Sequence, residues 1–296
     1  KEVLQQKYDQ KHLLAFELNR IDSQGMAEGD LEQVMDRMRQ FKRQAVFNVA
    51  VIDVFYDEPV ETVSDRLTEL ANVLLEKILE LSWATMVAKY GTPECIVDGA
   101  MFQPTMSIVA YGKMGGNELG YGSDLDIIFL HHSGGEKHYT TGEKVVDNQS
   151  FFARVAQRVI HFLNTRTYSG ILYEADTRLR PNGQSGLMVS SISAFETYQR
   201  EKAWIWEHQA LIRARFVTGS ALIEQEFDRI RSSVLRQSRE AVQLLLDVVK
   251  MREKMRKHLA SKSADFDFKQ DVGGLVDIEF MSQAGVLMYA ERHVEC

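Results

Sequence analysis

The most informative stretch of the sequence, for both fold and chemistry, is YGKMGGNELGYGSDLDIIFL, residues 111–130. Its last part, Leu125 to Leu130, is an apolar and β-rich run that predicts a strand with a buried face. Because side chains alternate along a strand, Asp124 and Asp126 are expected to point to the same face. Three apolar side chains point to the opposite face: Leu125, Ile127 and Phe129. The sequence therefore predicts two neighbouring carboxylates at the start of a strand.

The acid pair itself suggests a bound cation. Two adjacent carboxylates repel each other, and the pKa of one rises unless a cation lies between them. Hard oxygen ligands with phosphate nearby favour Mg²⁺. An Asp-x-Asp pair alone is weak evidence, because acidic pairs are common in solvated loops. The predicted strand after Asp124 and Asp126 makes this pair more specific.

Five glycines lie between positions 112 and 122, directly before the acid pair. Glycine permits positive φ and lets backbone N–H groups approach a phosphate closely. Lys113 would add charge and Ser123 a hydroxyl donor. The residues predicted to bind phosphate in this loop are Gly112, Lys113, Gly115, Gly116 and Ser123. A glycine-rich loop alone is often a tight turn, but a strand, loop, acid pair and strand in this order are far more specific.

A third β-rich run, Ile171 to Arg180, supplies further charged residues. Alternation would place four charged side chains on one of its faces: Glu174, Asp176, Arg178 and Arg180. Asp176 could complete a three-carboxylate site, and Arg178 or Arg180 could contact triphosphate oxygens. Two metal ions bridged by such carboxylates would hold the entering and leaving oxygens of an in-line displacement. The alternative is an exposed strand face crossed by surface salt bridges, which are common.

The pattern along the chain predicts an α+β fold with a small mixed sheet that holds the site, flanked by helical segments. The strands are the runs at 106–111, 125–130 and 171–180, and a helix with one apolar stripe is predicted at 148–164. We expect three regions along the chain. They are an N-terminal helical region over 1–100, a catalytic domain over 101–219 and a C-terminal helical region over 220–296.

Composition limits the classes of function. The chain has 296 residues, 45% of them apolar, and a formal charge of −7. That charge weighs against polymerase-like work on nucleic acid, which needs a basic surface, but it allows ATP in a local basic pocket. With no membrane-length apolar run, no signal-peptide pattern and two cysteines, we expect a cytoplasmic protein that binds neither membrane nor nucleic acid. The start at Lys1 and the end at Cys296 inside a helical pattern indicate a piece of a longer protein.

The wider pattern resembles the nucleotidyltransferase superfamily related to DNA polymerase β. More narrowly, the chain from about Met35 onward resembles the glutamine synthetase adenylyltransferases, bifunctional enzymes that adenylylate and deadenylylate glutamine synthetase. Six motifs in the same order carry this resemblance. They are YGKMGG at 111–116, Glu118-Leu119, SDLD at 123–126, DTRLRP at 176–181, WEHQAL at 206–211 and GGLVDIEF at 273–280.

The resemblance implies transfer of AMP from ATP to a tyrosine hydroxyl of glutamine synthetase, with Mg²⁺ on Asp124, Asp126 and Asp176. Such proteins carry two related domains, one that adds AMP and one that removes it by phosphorolysis. Residues 118–124 and 206–209 are more similar to the adding half. The resemblance also implies control by glutamine and by the PII signal-transduction protein. Two alternatives stay open, the AMP-removing half and a non-catalytic module that binds nucleotide or a partner protein.

Other charged residues have ordinary structural interpretations. His208 is expected to make a structural hydrogen bond rather than to act as a base. Arg213 and Arg215 could equally reach phosphates or balance surface charge. Asp277 and Glu279 repeat the acid spacing, but on a helix they diverge by about 200° and are not expected to share a metal ion.

Overall fold

The computed structural model describes residues 31–259 and 266–293, so the predictions for 1–30 and for Cys296 lie outside the described residues. The helices are α1 Leu31–Tyr56, α2 Val60–Tyr90, α3 Gly112–Gly115, α4 Asn148–Asn164, α5 Ile192–Glu201, α6 Ile205–Ile212, α7 Ala221–Leu235, α8 Ala241–Leu259 and α9 Leu275–Tyr289. The strands are β1 Pro93–Val97, β2 Ala100–Phe102, β3 Met106–Ala110, β4 Leu125–His131, β5 Glu136–Thr140, β6 Ala175–Asp176, β7 Val189–Ser191 and β8 Arg215–Thr218. A mixed α+β fold with small sheets is thereby confirmed.

A five-stranded mixed sheet lies at the centre of the described structure. Its order is β6-β4-β3-β8, and β7 also pairs with β4. Strands β3 and β4 are antiparallel, whereas β4 runs parallel to β6 at its start and to β7 at its end. Strand β4 begins at Leu125, as predicted. Its early and late segments therefore face different partners, and the acids lie at the β6 end.

Two apolar cores cover the two faces of this sheet. Ile127 belongs to the core that also contains buried side chains of α1, α2 and α4. Ile128, the next residue, belongs to the core formed with α5, α7, α8 and α9. Alternating side chains of β4 thus enter the two cores, so the strand that follows Asp124 is closely packed on both faces. The predicted boundaries at 100 and 219 stay a prediction.

Helix α4 agrees with its predicted range at both ends. Asp147 caps it, since its side chain accepts a hydrogen bond from Ser150 N at 2.8 Å. The predicted apolar stripe is buried: Phe152, Val155, Val159 and Phe162. This helix packs against α2 and precedes the segment that carries Asp176.

A second sheet was not predicted. It has three strands in the order β2-β1-β5, and β1 lies inside the region expected to be helical. Strand β5, Glu136–Thr140, is mostly exposed and polar, so it lacks the apolar alternation that marks a strand. Strand β8, Arg215–Thr218, likewise corrects the expectation of continuous helix after Ser193. Its half-buried residues are recruited by pairing with β3.

The C-terminal helices α8 and α9 are joined by charge as well as by apolar contact. Arg252 is buried, and its Nε donates to Asp277 Oδ1 at 2.5 Å. Asp277 also accepts a hydrogen bond from Gly273 N at 2.7 Å, at the turn before α9. Across the described ranges, 31–259 and 266–293, no helix has the length and apolar character needed to cross a bilayer.

Candidate functional site

Three aspartates meet at the edge of the central sheet. Strand β4 pairs in parallel with β6, with Asp126 directly beside Asp176. Side chains of paired residues in a parallel ladder point to the same face. Leu125 N donates to Glu174 O at 2.8 Å, which fixes the segments next to Asp124. The structure therefore places Asp126 beside Asp176, with Asp124 two residues before Asp126. Their joint role as a three-carboxylate metal site stays a prediction.

The electrostatics of the acids reflect this crowding. Burial, followed by the charges of Asp124 and Asp176, raises the pKa of Asp126 to about 6. The positive charges of Arg178 and Arg213 oppose that rise. A carboxylate in this environment is held among like charges. Carboxylates with a pKa raised in this way are concentrated at functional sites.

Asp176 is neutralised by a close partner. Arg178 donates from its backbone N to Asp176 Oδ1 at 2.8 Å and from Nε to Oδ2 at 2.7 Å. Its Nη2 completes the ion pair with the same carboxylate. The side-chain hydrogen bond from Arg178 is the main cause that lowers the pKa of Asp176. The Arg178 side chain is nevertheless 69% exposed to solvent.

The prediction of a third strand over 171–180 is correct only at its centre and wrong on both sides of it. The run from Ile171 to Arg180 forms a strand only at Ala175–Asp176, after which the chain turns. Arg180 therefore does not share a strand face with Asp176. Its Nη1 donates to Thr177 O at 2.9 Å and to Thr177 Oγ1 at 2.8 Å, so it closes the turn. The hydrogen bonds of this turn are local and override the alternating pattern.

The donor chemistry of the acids fits a divalent cation. Within residues 31–259 and 266–293, no three His, Cys, Asp or Glu side chains are gathered closely enough to hold a metal ion as they stand. The Asp176 carboxylate is bonded to Arg178 instead. The three aspartates are nevertheless hard oxygen donors whose like charges raise the pKa of Asp126. A cation such as Mg²⁺ would remove that conflict.

The first glycine of the loop makes room for a carboxylate. Gly112 has φ +55°, and a Cβ at this position would lie 2.3 Å from Asp126 Oδ2. Tyr111 N donates to Asp126 O at 2.8 Å, so the two segments are joined directly. A side chain at position 112 would therefore displace the Asp126 carboxylate. This glycine is needed for the geometry of the acids.

The later glycines serve packing rather than the predicted phosphate cradle. Gly115 N donates to Tyr111 O at 2.9 Å and Gly116 N to Gly112 O at 3.1 Å, within the turn itself. A Cβ at Gly115 would lie 1.7 Å from Arg213 O, at the end of α6. The expectation that these two N–H groups face phosphate is thus corrected, because they are already used.

The remaining loop residues make contacts within the loop or tie the loop to the rest of the fold. Ser123 Oγ accepts a hydrogen bond from Gly120 N at 3.0 Å, which leaves its own proton free to donate. Lys113 is exposed. Tyr121 Oη donates to Asp53 Oδ2 at 2.7 Å and ties the loop to α1. Sequence reasoning missed that contact, since Asp53 lies 68 positions upstream with no local motif.

A cavity of about 560 Å³ opens beside the acids, a volume typical of small-molecule sites. Its walls come from the β6 segment, the turn after it and the segment before β7. The charged and polar residues that line it are Asp124, Glu174, Asp176, Thr177, Arg178, Arg180 and Gln184. The three acids and two arginines in this lining suit a phosphate ester that carries a cation.

Two other predicted residues have structural roles. His208 Nε2 donates to Gln199 O at 2.9 Å inside the core, which confirms the predicted structural hydrogen bond. Burial lowers the pKa of His208. Arg215 Nη2 donates to Met114 O at 3.1 Å and supports the glycine turn from below. Neither side chain lines the cavity at the acids.

Asp277 and Glu279 point to different partners, as their helical spacing predicted. Asp277 binds the arginines of α8. Glu279 Oε1 lies 3.3 Å from Arg213 Nη2, at the glycine turn. The two acids do not share a site. The contact of α9 with the turn was not predicted.

The sequence matches the family described as glutamate-ammonia ligase adenylyltransferase over residues 2–230. Three similar curated proteins are each named bifunctional glutamine synthetase adenylyltransferase/adenylyl-removing enzyme. The protein of Thioalkalivibrio sulfidiphilus is 51% identical over 95% of this chain and 29% of its own length. That of Methylococcus capsulatus is 47% identical, over 91% and 29%. That of Hahella chejuensis is 46% identical, over 89% and 28%.

The chain spans about three tenths of the length of these relatives. Their names describe both an adding and a removing activity. The match includes the glycine turn, the acid strand and the segment of Asp176, and it confirms the resemblance found in the motifs. This chain belongs to the glutamate-ammonia ligase adenylyltransferase family, whose members are nucleotidyltransferase enzymes.

Proposed function

We propose that this chain transfers AMP from ATP to a tyrosine hydroxyl of glutamine synthetase and releases pyrophosphate. The observation that carries the proposal is the direct pairing of Asp126 with Asp176, with Asp124 two residues before Asp126. Three carboxylates beside a glycine turn suit a metal-bound triphosphate. The relatives' names supply the protein substrate.

Asp124, Asp126 and Asp176 are the proposed ligands of Mg²⁺. When bound, Mg²⁺ neutralises charge on the triphosphate and on the reacting oxygens. Ser123 and Lys113 are the proposed donors to phosphate oxygens on the loop side. Most of the catalytic effect comes from positioning and from charge neutralisation, as is general for phosphoryl-type transfer.

The acceptor hydroxyl must lose a proton, since a phenol has a pKa of about 10. Asp176 is the proposed proton acceptor. In the structure its pKa is lowered because Arg178 binds it, and a carboxylate in that state is a weak base. Transfer of Arg178 to the phosphates would free Asp176. Arg178 thus links nucleotide binding to activation of the hydroxyl.

The first experiment uses the purified chain, Mg²⁺, α-labelled ATP and unmodified glutamine synthetase. We expect label on glutamine synthetase with the unmodified chain and none with Asp124→Asn, which keeps the shape of the side chain but removes its charge. Circular dichroism checks that the variant is folded. Equal labelling by both proteins would show that Asp124 holds no catalytic cation.

The same assay separates the alternatives. Phosphate-dependent release of ADP from adenylylated glutamine synthetase, without labelling, would show the AMP-removing reaction instead. Binding of ATP with neither reaction would show a regulatory module. Glutamine and the PII protein are proposed regulators, by resemblance to the family. A change in labelling rate on adding either one to the reaction tests that part.

A further inference from the structure

Arg213 lies against the glycine turn. It follows the last residue of α6, and its carbonyl oxygen packs against Gly115. A Cβ at Gly116 would lie 3.3 Å from Arg213 Cδ, so the side chain passes over the turn. The first residue of the same turn, Gly112, lies against the Asp126 carboxylate. Arg213 thus packs on the turn that borders the acids.

Two carboxylates hold the Arg213 side chain. Its Nη1 lies 2.7 Å from Glu118 Oε2 and its Nη2 lies 3.3 Å from Glu279 Oε1. Both acids are about half exposed, at 53% and 44%, whereas Arg213 is 25% exposed. Exposed ion pairs contribute little to stability, so either acid can give way to a more strongly charged anion. Glu118 follows the turn, and Glu279 comes from α9.

Two other arginines near the turn donate chiefly to backbone carbonyls. Arg215 donates to Met114 O at 3.1 Å. Arg231 donates to Leu211 O at 3.1 Å and also to Ile212 O. In the part of the chain that the structure describes, the side chain of Arg213 has carboxylates as its partners. These are the partners that a phosphate would replace.

We propose that Arg213 is a phosphate-binding residue of the nucleotide site, held in place by Glu118 and Glu279 until the triphosphate replaces them. This inference rests on the proposed function. The N–H groups of Gly115 and Gly116 donate to carbonyls within the turn. Binding of a phosphate at this turn therefore depends on side chains. A guanidinium offers paired donors in a fixed plane for that purpose. Helix α9 then competes with the nucleotide through Glu279.

The test is a calorimetric titration of the purified chain with Mg²⁺-ATP and, separately, with pyrophosphate. Arg213→Gln is expected to weaken both affinities by about tenfold, the loss typical of a hydrogen bond to a charged group. Glu279→Gln is expected to strengthen ATP binding about two- to threefold, because one competitor for the guanidinium is removed. The same substitution should have no effect in an Arg213→Gln background. Arg213→Lys keeps the charge and should give an intermediate affinity.

Matched controls come from a similar bridge outside the site. Arg229 lies between Glu196 and Glu226, so Arg229→Gln and Glu226→Gln remove the same charges without touching the turn. Neither should change ATP affinity. Urea titrations of all variants report their folding.

Three results would overturn the role of Arg213. ATP affinity unchanged in both Arg213 variants would exclude it as a phosphate ligand. Loss of affinity in both Arg213→Gln and Glu279→Gln would indicate a structural bridge. Gain of affinity by Glu279→Gln in the Arg213→Gln background would indicate a general charge effect. In these three results the unmodified chain still binds ATP, so the proposed function stands and only the role of Arg213 fails. If the unmodified chain binds no ATP, the proposed function fails together with the role of Arg213.

Discussion

The two ends of strand β4 satisfy their polar groups in opposite ways. At its start, Asp126 pairs with Asp176, and burial together with the charges of Asp124 and Asp176 raises the pKa of Asp126. At its end, His131 is buried and its Nδ1 accepts a hydrogen bond from Ser133 N at 3.1 Å. Its Nε2 donates to Gln149 Oε1 at 3.3 Å. Like charges are therefore gathered at the start of β4, whereas at its end both ring nitrogens of a buried histidine are hydrogen-bonded.

This difference separates function from stability within seven residues. The acids cost folding free energy in the absence of a ligand, which is the signature of a site made for one. The ring of His131 stacks on Phe152, with centroids 4.5 Å apart and planes 10° apart. It therefore belongs to the packed core. Substitutions at the two ends should change different observables.

Gly112→Ala should have the largest effect, at the acid end. The new Cβ would lie 2.3 Å from Asp126 Oδ2, and φ is +55°. A misplaced catalytic group costs about a hundredfold in rate, and the backbone strain costs about 1–2 kcal/mol in the free energy of unfolding. AMP transfer and urea unfolding measure the two losses.

Gly99→Ala is the matched control for that substitution. Gly99 also has positive φ, at +79°, but nothing lies within 4 Å of a Cβ there. It should show the strain in urea unfolding and keep full transfer activity. Equal loss of activity in both variants would mean that strain, and not the displaced carboxylate, explains the effect.

His131→Gln should act on the other end, through pH. Burial lowers the pKa of His131 from 6.5 to about 4. Between these values the unfolded chain binds a proton that the folded chain does not, so the free energy of unfolding falls as the pH falls. From pH 7 to pH 5 this group accounts for a loss of about 2 kcal/mol. Above pH 6.5 its contribution is nearly fully present.

Urea unfolding at several pH values measures that loss, and His131→Gln should remove it whatever the variant does to overall stability. His293→Gln, at an exposed position, is the control and should keep the pH dependence of the unmodified chain. A pH dependence that survives in His131→Gln would assign it to other groups.

The elements predicted correctly are those set by the residues within the element itself. The alternation from Leu125 placed β4 and its acids, and the apolar stripe with its Asp147 cap placed α4. The run to Arg180 failed because the backbone of Arg178 turns to bind Asp176, a contact that alternation does not encode. Strands β1 and β5 were not predicted because they are short and partly polar. Their identity depends on partners far along the chain.

Long-range contacts to the loop were beyond any local pattern. Glu118 and Arg213 are 95 positions apart, and each is an ordinary charged residue in its own segment. The same holds for Asp53 and Tyr121. Contacts of this kind position the loop that precedes the acids, so the sequence predicts where the acids lie on the sheet better than it predicts which residues hold the loop.

Tyr121→Phe should have the smallest effect, and it tests that last distinction. The substitution removes the hydrogen bond to Asp53, which ties the loop before Asp124 to α1. Loss of one exposed hydrogen bond lowers the free energy of unfolding by about 0.5–1.5 kcal/mol, so the urea midpoint should fall only slightly. Because this bond positions the loop before the acids, a few-fold decrease in kcat is expected. Asp53→Ala should give the same decrease, and the double variant no more than either one. Additive losses would mean that the two side chains act separately, and then α1 would not position the acid end of β4 through this contact.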